Sequence, residues 1–247
     1  MAAPIIPSSL TVLGYTLPTV IWGVLGLYAA VFALWRMGSR SPHIMAFLGR
    51  HFVMDPFNLG QGRWYTIVTS ALSHTSIFHV AFNAFILISI APELLAPVAG
   101  LDNNAVMTQL EFAAFYAAAA AMSSLAQFAL ARTRWLGGTA RAGIGASGVL
   151  FALFAVHATV LPASEFIFFP IPYAFQGATM LWLLPTVDAA GILWNALNPH
   201  RATPIGNIAH LVGLLVGLAY VYAVTKPRME ENQSKARERQ LGSRRWD

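Results

Sequence analysis

The sequence has no cysteine, and only 10% of its 247 residues are Asp, Glu, Lys or Arg. The first absence excludes disulfides, thiolate chemistry and cysteine-ligated zinc together. The second excludes an ordinary soluble domain, because a globule needs roughly 25% charged residues to clothe its surface. Hydrophobic residues make up 57% instead, and long windows hold no formal charge at all. Lipid is therefore the expected outer solvent. Acidic residues are the scarcer sign, ten against fifteen Lys and Arg, giving a pI near 9.9. The basic residues are dispersed over loops and the tail and form no patch, which argues against nucleic acid as a partner.

Six apolar stretches are each near the ~20 residues needed to cross a bilayer. They fall at residues 17–35, 76–95, 112–130, 147–161, 174–193 and 205–224. This predicts an all-α membrane protein: an N-terminal segment (1–16), one six-transmembrane-helix bundle (17–224) and a charged, solvated tail (225–247) with a weak helical pattern. Internal Pro18 and Pro185 are tolerable where neighbouring groups satisfy the freed carbonyls. No Arg-rich amphipathic leader or short cleavable apolar segment precedes the first span. Between the first two spans, Ile44, Phe47, Leu48 and Phe52 recur at helical spacing beside Arg40 and Arg50. They predict a short interfacial helix, with an amphipathic linker as the alternative. Lys and Arg divide eight against seven between the two sides of the membrane, which leaves orientation undecided.

Polar groups inside the spans are functional candidates by default, since a polar side chain in hydrocarbon is costly. His79 and Asn83 lie four apart near the start of the second span and share a helix face. Two adjacent donors suit a developing oxyanion; an interhelical polar clamp is the structural alternative. Gly145-Ala146-Ser147-Gly148 opens the fourth span after a glycine-rich approach through Gly137, Gly138 and Gly143. That span gives about 22 Å of helix against ~30 Å of hydrocarbon, so Ser147 starts it below the membrane surface. A serine there sits beside free backbone N–H groups; a small-residue packing motif is the alternative. In the sixth span Gly206, His210, Gly213 and Gly217 step by four, three and four, forming one stripe. Its glycines let a neighbouring backbone approach, and His210 faces that neighbour. A serine needs an adjacent base to become a nucleophile, and histidine is poised for that near neutral pH.

Spans two, four and six all begin on one side of the membrane, so His79, Ser147 and His210 lie at similar depth. The combination predicts Ser147 as nucleophile, His210 as base, and His79 and Asn83 as oxyanion donors. Asp188, near the end of the fifth span, is assigned a structural role, although a full-length span would bring it to the same side as Ser147. His157 is roughly 15 Å along the fourth span from Ser147, too far to serve it. His74, a candidate for water entry or loop anchoring, is assigned a structural role.

These residues resemble the rhomboid family of intramembrane serine proteases over residues 17–224. The resemblance rests on His79-x-x-x-Asn83, Gly145-x-Ser147-Gly148 and Ala209-His210-x-x-Gly213-x-x-x-Gly217. Ser70-Ala71-Leu72-Ser73-His74-Thr75-Ser76 and Asp188-Ala189-Ala190-Gly191 resemble its mitochondrial presenilin-associated branch. The resemblance implies a six-helix rhomboid-like bundle and a serine–histidine dyad without a catalytic aspartate. It also implies cleavage of single-span membrane proteins, with the fifth span and the loop before it as a lateral gate. His79, Asn83 and Gly145 would line the oxyanion and substrate site, and no metal or cofactor is implied. The branch implies the mitochondrial inner membrane, with other endomembranes or the plasma membrane as alternatives. Arg63-Trp64-Tyr65-Thr66 departs from the family's frequent Trp-Arg, and the extra N-terminal span of the mitochondrial branch is not seen. The rivals are an inactive rhomboid relative that binds membrane clients, which usually lacks one dyad member, and a small transporter, which would spread polar groups through the bundle depth.

Overall fold

The computed structural model describes residues 11–12, 15–97, 105–131, 143–167, 173–201 and 205–243. Gly137, Gly138 and the last four residues, which figured in the sequence expectations, lie outside them. A two-residue hairpin (β1, Thr11–Val12; β2, Tyr15–Thr16) precedes α1 (Thr19–Gly38). Then come α2 (Pro42–His51), α3 (Pro56–Gly60), α4 (Thr66–Thr69), α5 (Ile77–Leu95), α6 (Gln109–Ala131) and α7 (Ser147–Val160). A hairpin (β3, Glu165–Ile167; β4, Ala174–Gln176) leads into α8 (Gly177–Leu197), α9 (Asn207–Tyr220) and α10 (Lys226–Ser243). Among the described residues, five helices are long and apolar enough to cross a membrane: α1, α5, α6, α8 and the continuous helix entered at α9. The chain is an integral, multi-pass, all-α membrane bundle.

The remaining expected span, α7, has 14 residues, about 21 Å of helix. Ten of them are buried, so it is the central post of the bundle and not a lipid-facing wall. A helix shorter than the hydrocarbon is tolerable there, because protein and not lipid surrounds the irregular backbone before Ser147. Glycines bring α9 against it. A β-carbon on Gly213 would stand 2.0 Å from the Gly148 carbonyl oxygen, and one on Gly217 would stand 2.2 Å from that of Ala152. Gly206 does not share this contact. It caps α9, and a β-carbon there would meet only Ala209 and Gln127.

The interfacial segment forms a helix, α2, because Ser41 caps it by accepting from the Ile44 N–H and Pro42 takes the first-turn position, where no N–H is needed. Leu48 is fully buried while Met45 and Phe47 face outward. The fifth span begins at Gly177, three residues later than expected. Ala174–Gln176 is a strand instead, with Phe166 opposite Phe175. A short apolar strand merges with the span's own apolar run, which hides this boundary in the sequence. The tail is helical from Lys226 as far as Ser243, where the sequence showed only a weak helical pattern. A π turn at Val221–Thr225 leads α9 into α10 next to Pro227, which has no N–H for the helical ladder. Arg228 bonds Glu111 at 2.5 Å and ties the tail to the start of α6.

Replacing Gly213 with valine should separate α7 from α9, lower the thermal midpoint in detergent by several degrees and abolish whatever depends on the Ser147–His210 contact. Gly26→Ala, where nothing lies within 4 Å of the added carbon, should leave the midpoint within about a degree of wild type. Equal melting of the two variants would remove the close crossing as a stability determinant.

Candidate active site

Ser147 is the first residue of α7, where the leading N–H groups of a helix have no intrahelical partners. Its approach is held by the segment between the first two spans. Met54 and Gly143 exchange backbone hydrogen bonds (3.2 and 2.8 Å), and the Gly145 N–H donates to the Ser70 carbonyl at 2.9 Å. That segment is itself braced. Asn58, 1% exposed, donates through Nδ2 to the carbonyls of Gly49 and Val53 and accepts from Arg63 Nη1 at 2.8 Å. Ser73 Oγ donates to the Phe52 carbonyl. These backbone pairings went unforeseen, because no side-chain pattern marks them.

Gly145 has φ +109°, a conformation that L side chains rarely adopt, and a β-carbon there would lie 2.7 Å from His79 Cε1 and 3.1 Å from Nε2. Glycine is thus required twice over, and the His79 ring lies against the backbone that leads to Ser147. Asn83 is 2% exposed and donates through Nδ2 to the His79 carbonyl at 2.7 Å. In this arrangement one of its two N–H groups is spent on its own helix.

His210, three residues into α9, links Ser147 to a third helix. Its Nε2 lies 2.9 Å from Ser147 Oγ, and its Nδ1 lies 2.9 Å from Asp188 Oδ1 on α8. The ring of Phe151, one turn beyond Ser147, stacks on the imidazole at 4.1 Å with only 9° between planes. Gln127 on α6 accepts from the Ala209 N–H at 3.1 Å and anchors the start of α9. The structure therefore joins Ser147 to His210 and sets His79 and Gly145 beside them. It also places Asp188, expected to be only structural, in direct contact with His210. The signal for it in the sequence was topological: a full-length α8 ends on the side where α7 and α9 begin.

His157 sits apart, as expected: its Nε2 is 2.7 Å from Glu93 Oε2 near the far ends of α7 and α5. Polar groups are thus not confined to one end of the bundle. His74 is fully buried, donates through Nδ1 to the Leu72 carbonyl at 3.2 Å, and meets Tyr28 and His79 edge-on. Burial, with a smaller contribution from His79, pushes His74 down to about 4.

A half-buried serine at the start of a short helix, bonded to a histidine on the neighbouring helix of an apolar bundle, defines a membrane-embedded serine–histidine site. Residues 61–227 match the family model of the rhomboid domain, and the chain belongs to the rhomboid family. It is similar to the mitochondrial presenilin-associated rhomboid-like protein of Mus musculus, 26% identical over 207 residues that cover 81% of this chain and 47% of the relative. The Homo sapiens counterpart is 25% identical over 205 residues, with the same coverage of each. The mitochondrial Rhomboid protein 1 of Saccharomyces cerevisiae is 26% identical over 219 residues, covering 87% of this chain and 56% of the relative. The chain spans about half the length of the curated relatives it matches.

The depressed His74 fixes a pH dependence. The unfolded chain takes up a proton on His74 near pH 6.5, whereas the folded chain takes it up only near pH 4. Stability from this group is complete above pH 6.5 and falls as pH drops through that window, by about 3 kcal/mol in total. Thermal melting of wild type and His74→Phe between pH 7 and 4 should show a shallower decline in the variant. Parallel curves would contradict this account.

Proposed function

We propose that this rhomboid-family chain is an intramembrane serine endopeptidase, hydrolysing peptide bonds in or near transmembrane segments of other membrane proteins. The observation that carries this is the 2.9 Å approach of His210 Nε2 to Ser147 Oγ. Ser147 Oγ attacks the carbonyl of an unwound substrate segment while His210 Nε2 takes its proton, forming a tetrahedral adduct. The first-turn N–H groups of α7 and the His79 side chain hold the oxyanion, and Asn83 joins them through its second N–H. Collapse of the adduct passes the proton from His210 to the leaving amine. A water then enters and its oxygen attacks the acyl carbon while His210 takes its proton; as the bond to Ser147 Oγ breaks, His210 returns that proton to the serine and the acid product leaves. Gly145 keeps the approach open for the substrate backbone. No step calls for a metal or cofactor, and among the described residues no cluster of His, Asp and Glu is arranged to hold a metal.

Phe151 and the helix walls limit the water around His210, so the imidazole acts in a partly dry setting where its hydrogen bonds are strong. The chain's partners on this reading are transmembrane protein substrates and the surrounding lipid. The relatives named as mitochondrial support a mitochondrial setting for the membrane this chain spans.

A fluorophosphonate probe should label the purified full chain in detergent micelles, and Ser147→Ala should not be labelled. Cleavage of a panel of single-span proteins in proteoliposomes should fall by at least about 10³-fold in Ser147→Ala and in His210→Ala. Equal labelling of wild type and Ser147→Ala would end the assignment of Ser147 as nucleophile.

A further inference from the structure

α7 carries the chain from Ser147 to the opposite boundary of the bundle, and the β3–β4 hairpin follows it there. The composition of the hairpin is at odds with a loop in water. From Phe166 to Phe175 the sequence reads Phe-Ile-Phe-Phe-Pro-Ile-Pro-Tyr-Ala-Phe, without a charged residue. Connections that stand in water are polar and favour Gly, Asn, Asp and Ser. The polarity also runs the wrong way for water. Glu165 pairs with Gln176 at the base, beside the helices, while Ile167 pairs with Ala174 farther out. Ile167 is 64% exposed and Tyr173 63%.

The base is fastened to the bundle. Phe166 meets Phe154 and His157 of α7 edge-on, with ring centroids 5.1 and 5.3 Å apart. The Gly177 N–H donates to the Ser164 carbonyl at 2.8 Å, and the Ala178 N–H to that of Pro162 at 3.2 Å. A β-carbon on Gly177 would stand 3.2 Å from that of Ala158. Ile167 and Tyr173 are therefore held one short strand away from the start of α8, whose exposed face carries Trp182 and Leu183. Lipid covers that face, since α8 is one of the spans, and the hairpin continues it.

Two constraints fix the depth. A two-stranded sheet leaves both outer edges of backbone N–H and C=O groups outside its ladder, which the hydrocarbon core does not tolerate. Water, in turn, disfavours the exposed apolar side chains. The headgroup–acyl boundary meets both demands. Water and headgroups reach the strand edges there, acyl chains receive Ile167, and a tyrosine suits it with both ring and hydroxyl.

We propose that the β3–β4 hairpin is a membrane-interface anchor, inserting Ile167 and Tyr173 among the lipids on the side of the membrane away from Ser147. It gives α8, which buries few residues of its own, a fixed end at that boundary. The anchor needs no catalysis, so its test stands apart from the peptidase reading.

The absence of cysteine allows one reporter per variant. Ile167→Cys and Tyr173→Cys, each carrying a nitroxide, are reconstituted as full chains in phosphatidylcholine vesicles. Depth is read from relaxation by oxygen, which enters lipid, against relaxation by a neutral nickel complex, which stays in water. Nitroxide-labelled lipids set the scale. Both labels should lie about 5–10 Å below the headgroup surface. Nickel relaxation as strong as for a label free in buffer would overturn the proposal. So would protection from both reagents, which would mean that protein, a second copy or another partner, covers the hairpin. Wild type provides a measurement that needs no variant to fold. A lipid-soluble carbene reagent should modify the peptide that holds Ile167 and Tyr173 as it does the one that holds Trp182. Modification of the Trp182 peptide alone would remove the anchor.

Discussion

The backbone contact between α7 and α9 is the constraint on which the site depends. Gly213 lies against the carbonyl of Gly148, the residue after Ser147, and Gly213 is one turn along α9 from His210. The contact that joins the two helices therefore also sets the separation of the Ser147 hydroxyl and the His210 imidazole. In lipid there is little hydrophobic drive to press helices together, so close van der Waals packing over small residues must supply it. Any side chain larger than hydrogen at 213 opens the gap, and a hydroxyl and an imidazole at 2.9 Å have little slack to absorb it.

Much of this arrangement was legible in the sequence, for reasons that can be named. The four-three-four spacing of small residues and His210 marks one helix face because the helix repeats every 3.6 residues. The shortness of the fourth apolar run places Ser147 inside the bundle by length alone, and the buried α7 agrees. Other features carry no such signature. The pairing of Met54 with Gly143 is made by backbone atoms, which look the same for every residue type. Gly206 belongs to the stripe by spacing but lies at the helix end, where periodicity stops applying. Asp188 is ambiguous in principle. An acid in an apolar span has the same sequence signature whether it braces two helices or serves a histidine, and only the position of α9 decides between them.

The helix that carries Asp188 is the least buried of the five long spans. Its outer face exposes Trp182, Leu183, Val187, Leu193, Trp194 and Leu197, while Gly177, Met180 and Asp188 are its buried residues. With so little apolar surface turned inward, the polar ties at Asp188 weigh heavily in how α8 docks. Those ties come from the first turn of α9 and include the imidazole itself. If α8 moves away, Asp188 leaves its two donors and enters apolar surroundings, and His210 Nδ1 is left with no acceptor on α8. Both losses oppose the movement, so the docked position of α8 and the hydrogen-bonded state of the imidazole form one coupled equilibrium. Without the acid, the least buried span would have no such link to the His210 imidazole.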